Sequence, residues 1–210
     1  ILGPNGAGKT TFLNIIMGIL GRDSGTLSIL GEQIARSFPE RLKMRMNMSS
    51  GNANFPWSLT VRENIIFYGM LYGMGGAKLS KKADELMEFV SLEQYKDRRF
   101  DELSTGNKQK LALAKSLINS PELLLLDEPT TGMDPDISAR IRAMIKDINI
   151  NRGITVLLTT HYMKEAEELC GRIAFIKGGA IRALGTKEEL QTMVNARDLE
   201  EAFIELAAER

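Results

Sequence analysis

Nine consecutive residues near the start of the chain, Gly3-Pro4-Asn5-Gly6-Ala7-Gly8-Lys9-Thr10-Thr11, fit the pattern G-x-x-x-x-G-K-[ST] of a phosphate loop, the Walker A motif. The spacing has a physical reason. Glycines at 3, 6 and 8 admit backbone conformations that a Cβ opposes, so successive N–H groups can turn inward toward an anion. Lys9 adds a point charge for the β- and γ-phosphates, and the Thr10 hydroxyl is placed to ligate Mg²⁺. Thr11 to Met17 reads as a helix whose N-terminal dipole end faces the same phosphates. Ile1 and Leu2 read as the end of a strand. Strand, glycine loop and helix together imply binding of a nucleoside triphosphate.

A second set of reactive side chains closes the run Leu123-Leu124-Leu125-Leu126-Asp127-Glu128-Pro129. Four leucines describe a strand buried on both faces, so the two acids emerge at its carboxyl end, where sheets of this kind bind ligands. Carboxylates there are costly without a metal or water to use them. Beside a phosphate loop, Asp127 is the natural Mg²⁺ partner and Glu128 a candidate general base for water. Pro129 disfavours helical dihedrals at Glu128, which predicts an extended residue. His161, the only histidine, follows a second buried strand at Ile154–Leu158. A lone histidine is often structural, but its place at the carboxyl end of a core strand favours a functional reading. Ser104 with Gly106 opens another helix; taken alone, this is a capped helix and no more.

The elements that must position these residues alternate between sheet and helix. Thr26–Leu30 and Gly31-Glu32 suggest a short antiparallel hairpin. Lys43 to Met48 alternates with period two, which puts Met44, Met46 and Met48 on one strand face, as core fillers or, less commonly, as ligands for a soft metal. A polar stretch from Ser49 to Asn54 leads to Phe55-Pro56-Trp57. Thr60 with Glu63 forms a capping box, and Ser80 reads as the cap of a helix bearing Ala83, Leu86, Met87 and Val90. Residues 59–120 are thus largely helical, inserted between two α/β segments at 1–58 and 121–185. Gly132-Met133-Asp134-Pro135 turns into a helix with Ile137, Ile141, Met144, Ile145 and Ile148 on one face. A strand pair flanks Gly178-Gly179, Thr186 with Glu189 makes another capping box, and Asp198 caps a final helix in the tail 186–210. The expected fold is α/β: a phosphate-loop NTPase core with a mainly parallel sheet flanked by helices, an inserted helical subdomain and a short antiparallel part.

Composition bounds the partners. Lys+Arg and Asp+Glu are both 27, so bulk charge gives no support for nucleic-acid binding. One cysteine, Cys170, permits no intrachain disulfide. The longest apolar runs are too short to span a bilayer. The chain opens inside an expected strand without an initiator Met, so an upstream N-terminus carrying further strands is expected.

In the order and type of these motifs the chain closely resembles the ATP-binding cassette (ABC) ATPases of transporters, over nearly its full length. The resemblance rests on Walker A at Gly3–Thr11, a signature at Leu103-Ser104-Thr105-Gly106-Asn107, Walker B at Leu123–Asp127 with Glu128, a D-loop at Gly132-Met133-Asp134, and a switch histidine at His161. No guanine-reading Asn-Lys-x-Asp is present. The resemblance implies ATP and Mg²⁺ as cofactors and a head-to-tail dimer. Each ATP then lies between one subunit's phosphate loop and the other's Ser104–Gly106, with Glu128 polarising water and His161 at the γ-phosphate. It also implies a transmembrane permease partner at the cytoplasmic face of a bacterial membrane.

The chain departs from the family pattern in places. The glutamine expected after the Met-rich strand falls at Ser49-Ser50-Gly51, which puts Ser50 forward as a metal contact only through water or a shifted loop. Thr105 and Asn107 replace the usual Gly and Gln of the signature. The adenine-stacking aromatic lies upstream of residue 1. Ser-Ser for Gln, Phe55-Pro56-Trp57 and the ending Leu199–Leu206 look most like cassettes of multidrug, lipid or polysaccharide exporters. Phe55, Pro56 and Trp57 either line a groove for a membrane-subunit helix or pack the subdomain seam. The alternatives to an export ATPase are a non-transport cassette ATPase and a nucleotide-gated module with weak turnover.

Overall fold

The computed structural model describes residues 1–35, 37–50 and 55–208. Its elements run α1 (Lys9–Ile16), β1 (Leu27–Ile29), β2 (Glu32–Ile34), α2 (Glu40–Lys43), β3 (Met46–Ser50), α3 (Val61–Leu71), α4 (Gly76–Phe89) and α5 (Thr105–Ser116). They continue with β4 (Leu123–Asp127), α6 (Pro135–Ile150), β5 (Thr155–Thr159), α7 (Met163–Leu169), β6 (Ile173–Lys177), β7 (Ala180–Gly185), α8 (Lys187–Met193) and α9 (Leu199–Ala208). The four-leucine strand β4 is the middle of a parallel sheet ordered β3-β4-β5. Leu124, Leu125 and Leu126 are each 0% exposed, as a strand covered on both faces requires. The residues just before the phosphate loop extend this sheet. Leu2 makes parallel bridges to Thr160 on one side and Phe175 on the other, which links β5 to β6. The predicted α/β core with a mainly parallel sheet is present, and β1–β2 and β6–β7 are antiparallel pairs.

The register fixes the chemistry. Ser50 pairs with Asp127 and Asp127 with Thr159, so these three stand in one row at the carboxyl edge of the sheet. The helical stretch between β3 and β4 is not isolated from the core. Val61, Ile65, Leu86 and Leu111 share one continuous apolar cluster with Leu124, Ile141 and Leu158.

Several local expectations are corrected. Met44 is not on the strand with Met46 and Met48; it caps α2 and is exposed. Strand β3 is covered on both faces, since Asn47 and Ser49 are buried as well as Met46. Ser80 lies inside α4, which starts after Gly75, because the buried stripe begins a turn earlier, at Leu79. Phe55 packs the seam, edge-on to Tyr68 at 5.4 Å and against Phe100 at 5.0 Å, whereas Trp57 is 68% exposed. Ser49 and Ser50, expected in a polar loop, instead end β3 because they pair with Leu126 and Asp127, and the rest of that stretch, Gly51–Asn54, lies outside the described residues. The capping boxes of Thr60 with Glu63 and Thr186 with Glu189 form as read.

Candidate nucleotide site

The phosphate loop runs from Leu2 into α1, whose N-cap is Gly8. Gly6 and Gly8 carry positive φ of 78° and 102°, conformations that favour glycine. Gly3 is needed for another reason: a Cβ there would collide with the Ile176 carbonyl. Lys9 is 5% exposed, and its Nζ donates to the carbonyls of Gly3 at 2.9 Å and Pro4 at 3.1 Å. The same ammonium pairs with Glu128 Oε1 at 3.0 Å. Thr10 Oγ1 donates to Asp127 Oδ2 at 2.8 Å, and Thr159 Oγ1 donates to Asp127 Oδ1 at 2.5 Å. A cleft of about 720 Å³, within the usual range for small-molecule sites, is lined by Asn5, Gly6, Gly8, Lys9, Thr10, Thr11, Ser50, Asp127, Glu128 and Thr131. Walker A and Walker B residues therefore meet in one concave space, with Ser50 beside Asp127 on the neighbouring strand.

Glu128 departs from expectation. It is not extended; its φ is +49°, in the left-handed region. Its N–H donates to the Thr159 carbonyl at 3.0 Å, and its own carbonyl accepts from Thr131 N–H at 3.2 Å. These contacts override the preference imposed by Pro129, at a strain cost of order 1–3 kcal/mol of the kind stored at functional sites. The bend brings the carboxylate back over the phosphate loop. Thr131 Oγ1 donates to Glu128 Oε2 at 3.1 Å, and His161 Nδ1 lies 3.3 Å from the same oxygen. Partial burial pushes the Glu128 carboxyl upward, but the hydrogen bond and charge of Lys9, with His161 and Thr131, outweigh it and hold it below the ordinary carboxylate range.

The remaining predicted residues stand elsewhere. Pro4 is exposed on the loop and Ala7 is buried beneath it. Ser104 is the N-cap of α5, its Oγ accepting from Asn107 N–H at 3.4 Å. Gly106 is buried, and a Cβ there would meet Ile137 side-chain carbons at 3.0 Å, so its smallness serves helix packing within this chain. Asp134 precedes α6 and is exposed. None of these three lines the cleft. Sequence reasoning passed over Thr159 and Thr131; the signal available was that Thr159 ends β5 and Thr131 lies in the turn after β4.

Among the described residues, no cluster of three or more His, Cys, Asp and Glu side chains could hold a metal ion. The donor set suits Mg²⁺ all the same, because that ion takes one or two carboxylates and completes its shell with phosphate oxygens and water.

Fold and site together define a phosphate-loop nucleotide-binding protein. The sequence model of the ABC transporter family matches residues 1–131. Two relatives described as Nod factor export ATP-binding protein I are each 40% identical to this chain. The one from Paraburkholderia xenovorans aligns over 97% of this chain and 66% of its own length; the one from Cupriavidus metallidurans over 90% and 62%. The chain belongs to the ABC transporter family. It spans just under two thirds of the length of these relatives. Among solved structures, an ATP-binding subunit of an ABC transporter superposes with TM-score 0.83 at 27% identity, over 98% of this chain and 85% of that one. A dimeric ATP-binding cassette in a post-hydrolysis state, bound to ADP and Pi, superposes with TM-score 0.77 at 27% identity, over 88% and 83%. The fold is that of the family's ATPase domains.

Proposed function

We propose that this chain is the ATP-hydrolysing subunit of a bacterial ABC exporter, working as a head-to-tail pair at the cytoplasmic face of the membrane beside a separate permease. The observation that carries the reading is the convergence of Lys9, Thr131 and His161 on the Glu128 carboxylate, next to Asp127 and Thr10 in one cleft. The names of the relatives support export, and no helix of the described residues is long and apolar enough to cross a membrane. Substrate choice rests with the permease. Residues 1–58 and 121–185 serve as the nucleotide-binding core, 59–120 as the helical arm carrying the signature, and 186–210 as the tail.

The chain's own residues suggest how hydrolysis is gated. Here Lys9 holds Glu128 ionised and drawn onto the phosphate loop. An ATP γ-phosphate competes for Lys9, which releases the carboxylate beside a new negative charge; both changes raise its proton affinity and make it a better base. His161 then faces the γ-phosphate, and the partner's Ser104–Gly106 helix N-terminus closes over it. Thr10 and Asp127 would hold Mg²⁺, with Ser50 next to Asp127 on the adjoining strand; when bound, the ion would neutralise phosphate charge. Closure and reopening of the pair drive the permease between two states. The test is Mg²⁺-dependent phosphate release. Glu128→Gln is expected to lower kcat roughly 10²-fold to 10⁴-fold; undiminished release in that variant removes Glu128 as the base.

A further inference from the structure

The turn that carries Glu128 is held from two directions. From α5, Gln109 reaches across with its Nε2 donating to the Pro129 carbonyl at 3.0 Å, over a sequence separation of 20 residues. Gln109 is 5% exposed and sits in a helix whose neighbouring positions, Leu111 to Ala114, are core. A buried amide is unfavourable in such a place unless its hydrogen bond does something an apolar side chain cannot. Three residues nearer the start of α5, Gly106 rests on Ile137 in the first turn of α6, close enough that a Cβ would press on that side chain at 3.0 Å. On the opposite side Thr130 Oγ1 donates to Glu165 Oε1 at 2.8 Å, and Glu165 is 2% exposed. α7 thereby fixes one end of the turn, while α5 holds the carbonyl next to Glu128.

We propose that Gln109 is a positioning residue for Glu128: it ties the left-handed turn to α5, so that the base takes its working geometry only when the N-terminus of α5 is engaged. This rests on the head-to-tail reading above, in which Ser104, at that N-terminus, meets the nucleotide bound by the other subunit. α5 is a continuous helix from Thr105 to Ser116, so a displacement of its first turn carries to Gln109 in its second. Occupancy of one site is then reported through Gln109 to the base of the other, and the two sites fire together. Gln109 acts through the Pro129 carbonyl.

The experiment measures steady-state ATP hydrolysis by the full chain with Gln109→Met, which keeps length but removes the donor, and with Gln109→Glu, which keeps shape. Gln109→Met is expected to lower kcat about tenfold with KM for ATP and Tm unchanged. Gln109→Glu is expected to be slow at neutral pH and to recover relative to the native chain as pH falls, because only a protonated carboxyl can donate to the Pro129 carbonyl. In a Glu128→Gln background, Gln109→Met is expected to slow residual hydrolysis no further. A native kcat in Gln109→Met overturns the proposal, as does a kcat loss matched by lower Tm, or one that persists in full beside Glu128→Gln. Should Gln109→Met not fold, the pH profile of Gln109→Glu decides alone, and a flat ratio to the native chain overturns the idea. Loss of activity in Glu128→Gln but not in the Gln109 variants sinks this inference only; full activity in Glu128→Gln sinks the reading beneath it.

Discussion

The two helix N-termini read from the sequence as phosphate-binding are built in opposite ways. At the phosphate loop, a chain 210 residues long closes on itself: Lys9 grips Glu128, Thr10 grips Asp127, and Asp127 is fixed again by Thr159. At the start of α5, Ser104 is exposed, bonded only locally to Asn107, and outside the cleft. Both are helix N-termini suited to anions. One is tied into the fold and the other is exposed. The difference teaches where self-sufficiency ends: on the head-to-tail reading proposed above, the second half of each site comes from another copy.

Ser104→Asp attacks this contrast most sharply. Aspartate caps a helix as well as serine and suits the positive dipole end, so Tm is expected to hold within the scatter of exposed substitutions. The same charge repels a γ-phosphate, so nucleotide binding to the single chain should persist while dimerisation and hydrolysis are lost. Unchanged hydrolysis in this variant would mean that the second helix end is merely capped. A smaller effect tests the self-closed half. Because Glu128 titrates below its ordinary value in the folded chain, the stabilisation from its pairing is fully present above the unfolded carboxyl pKa of about 4.3. It is lost as pH falls through the lowered folded value. The Tm difference between native and Glu128→Gln chains should therefore shrink on acidification through that window; a difference constant with pH would mean that the pair adds nothing.

How much of this was legible in the sequence depends on how local the cause was. Leu123–Leu126 announced a doubly buried strand because burial on both faces leaves no room for polar residues. Gly6, Gly8, Lys9 and Thr10 were readable because phosphate binding demands those residue types at that spacing. Glu128 was misread in its backbone, since the preference set by Pro129 is local while the Thr159 and Thr131 hydrogen bonds that reverse it are tertiary. Met44 and Ser80 fitted periodic or capping patterns that the buried stripes of neighbouring elements overrode. Gln109 gave no sign at all: a glutamine within a helix looks the same whether it meets water or a carbonyl 20 residues onward.

The central claim, that two copies complete each other's sites, is tested most directly by light scattering of the Glu128→Gln chain with and without Mg-ATP. Slowed hydrolysis should leave ATP in place and trap a dimer, with monomer returning when nucleotide is withdrawn and Ser104→Asp preventing capture. A Glu128→Gln chain that binds ATP yet stays monomeric, alone and beside its membrane partner, would contradict the account.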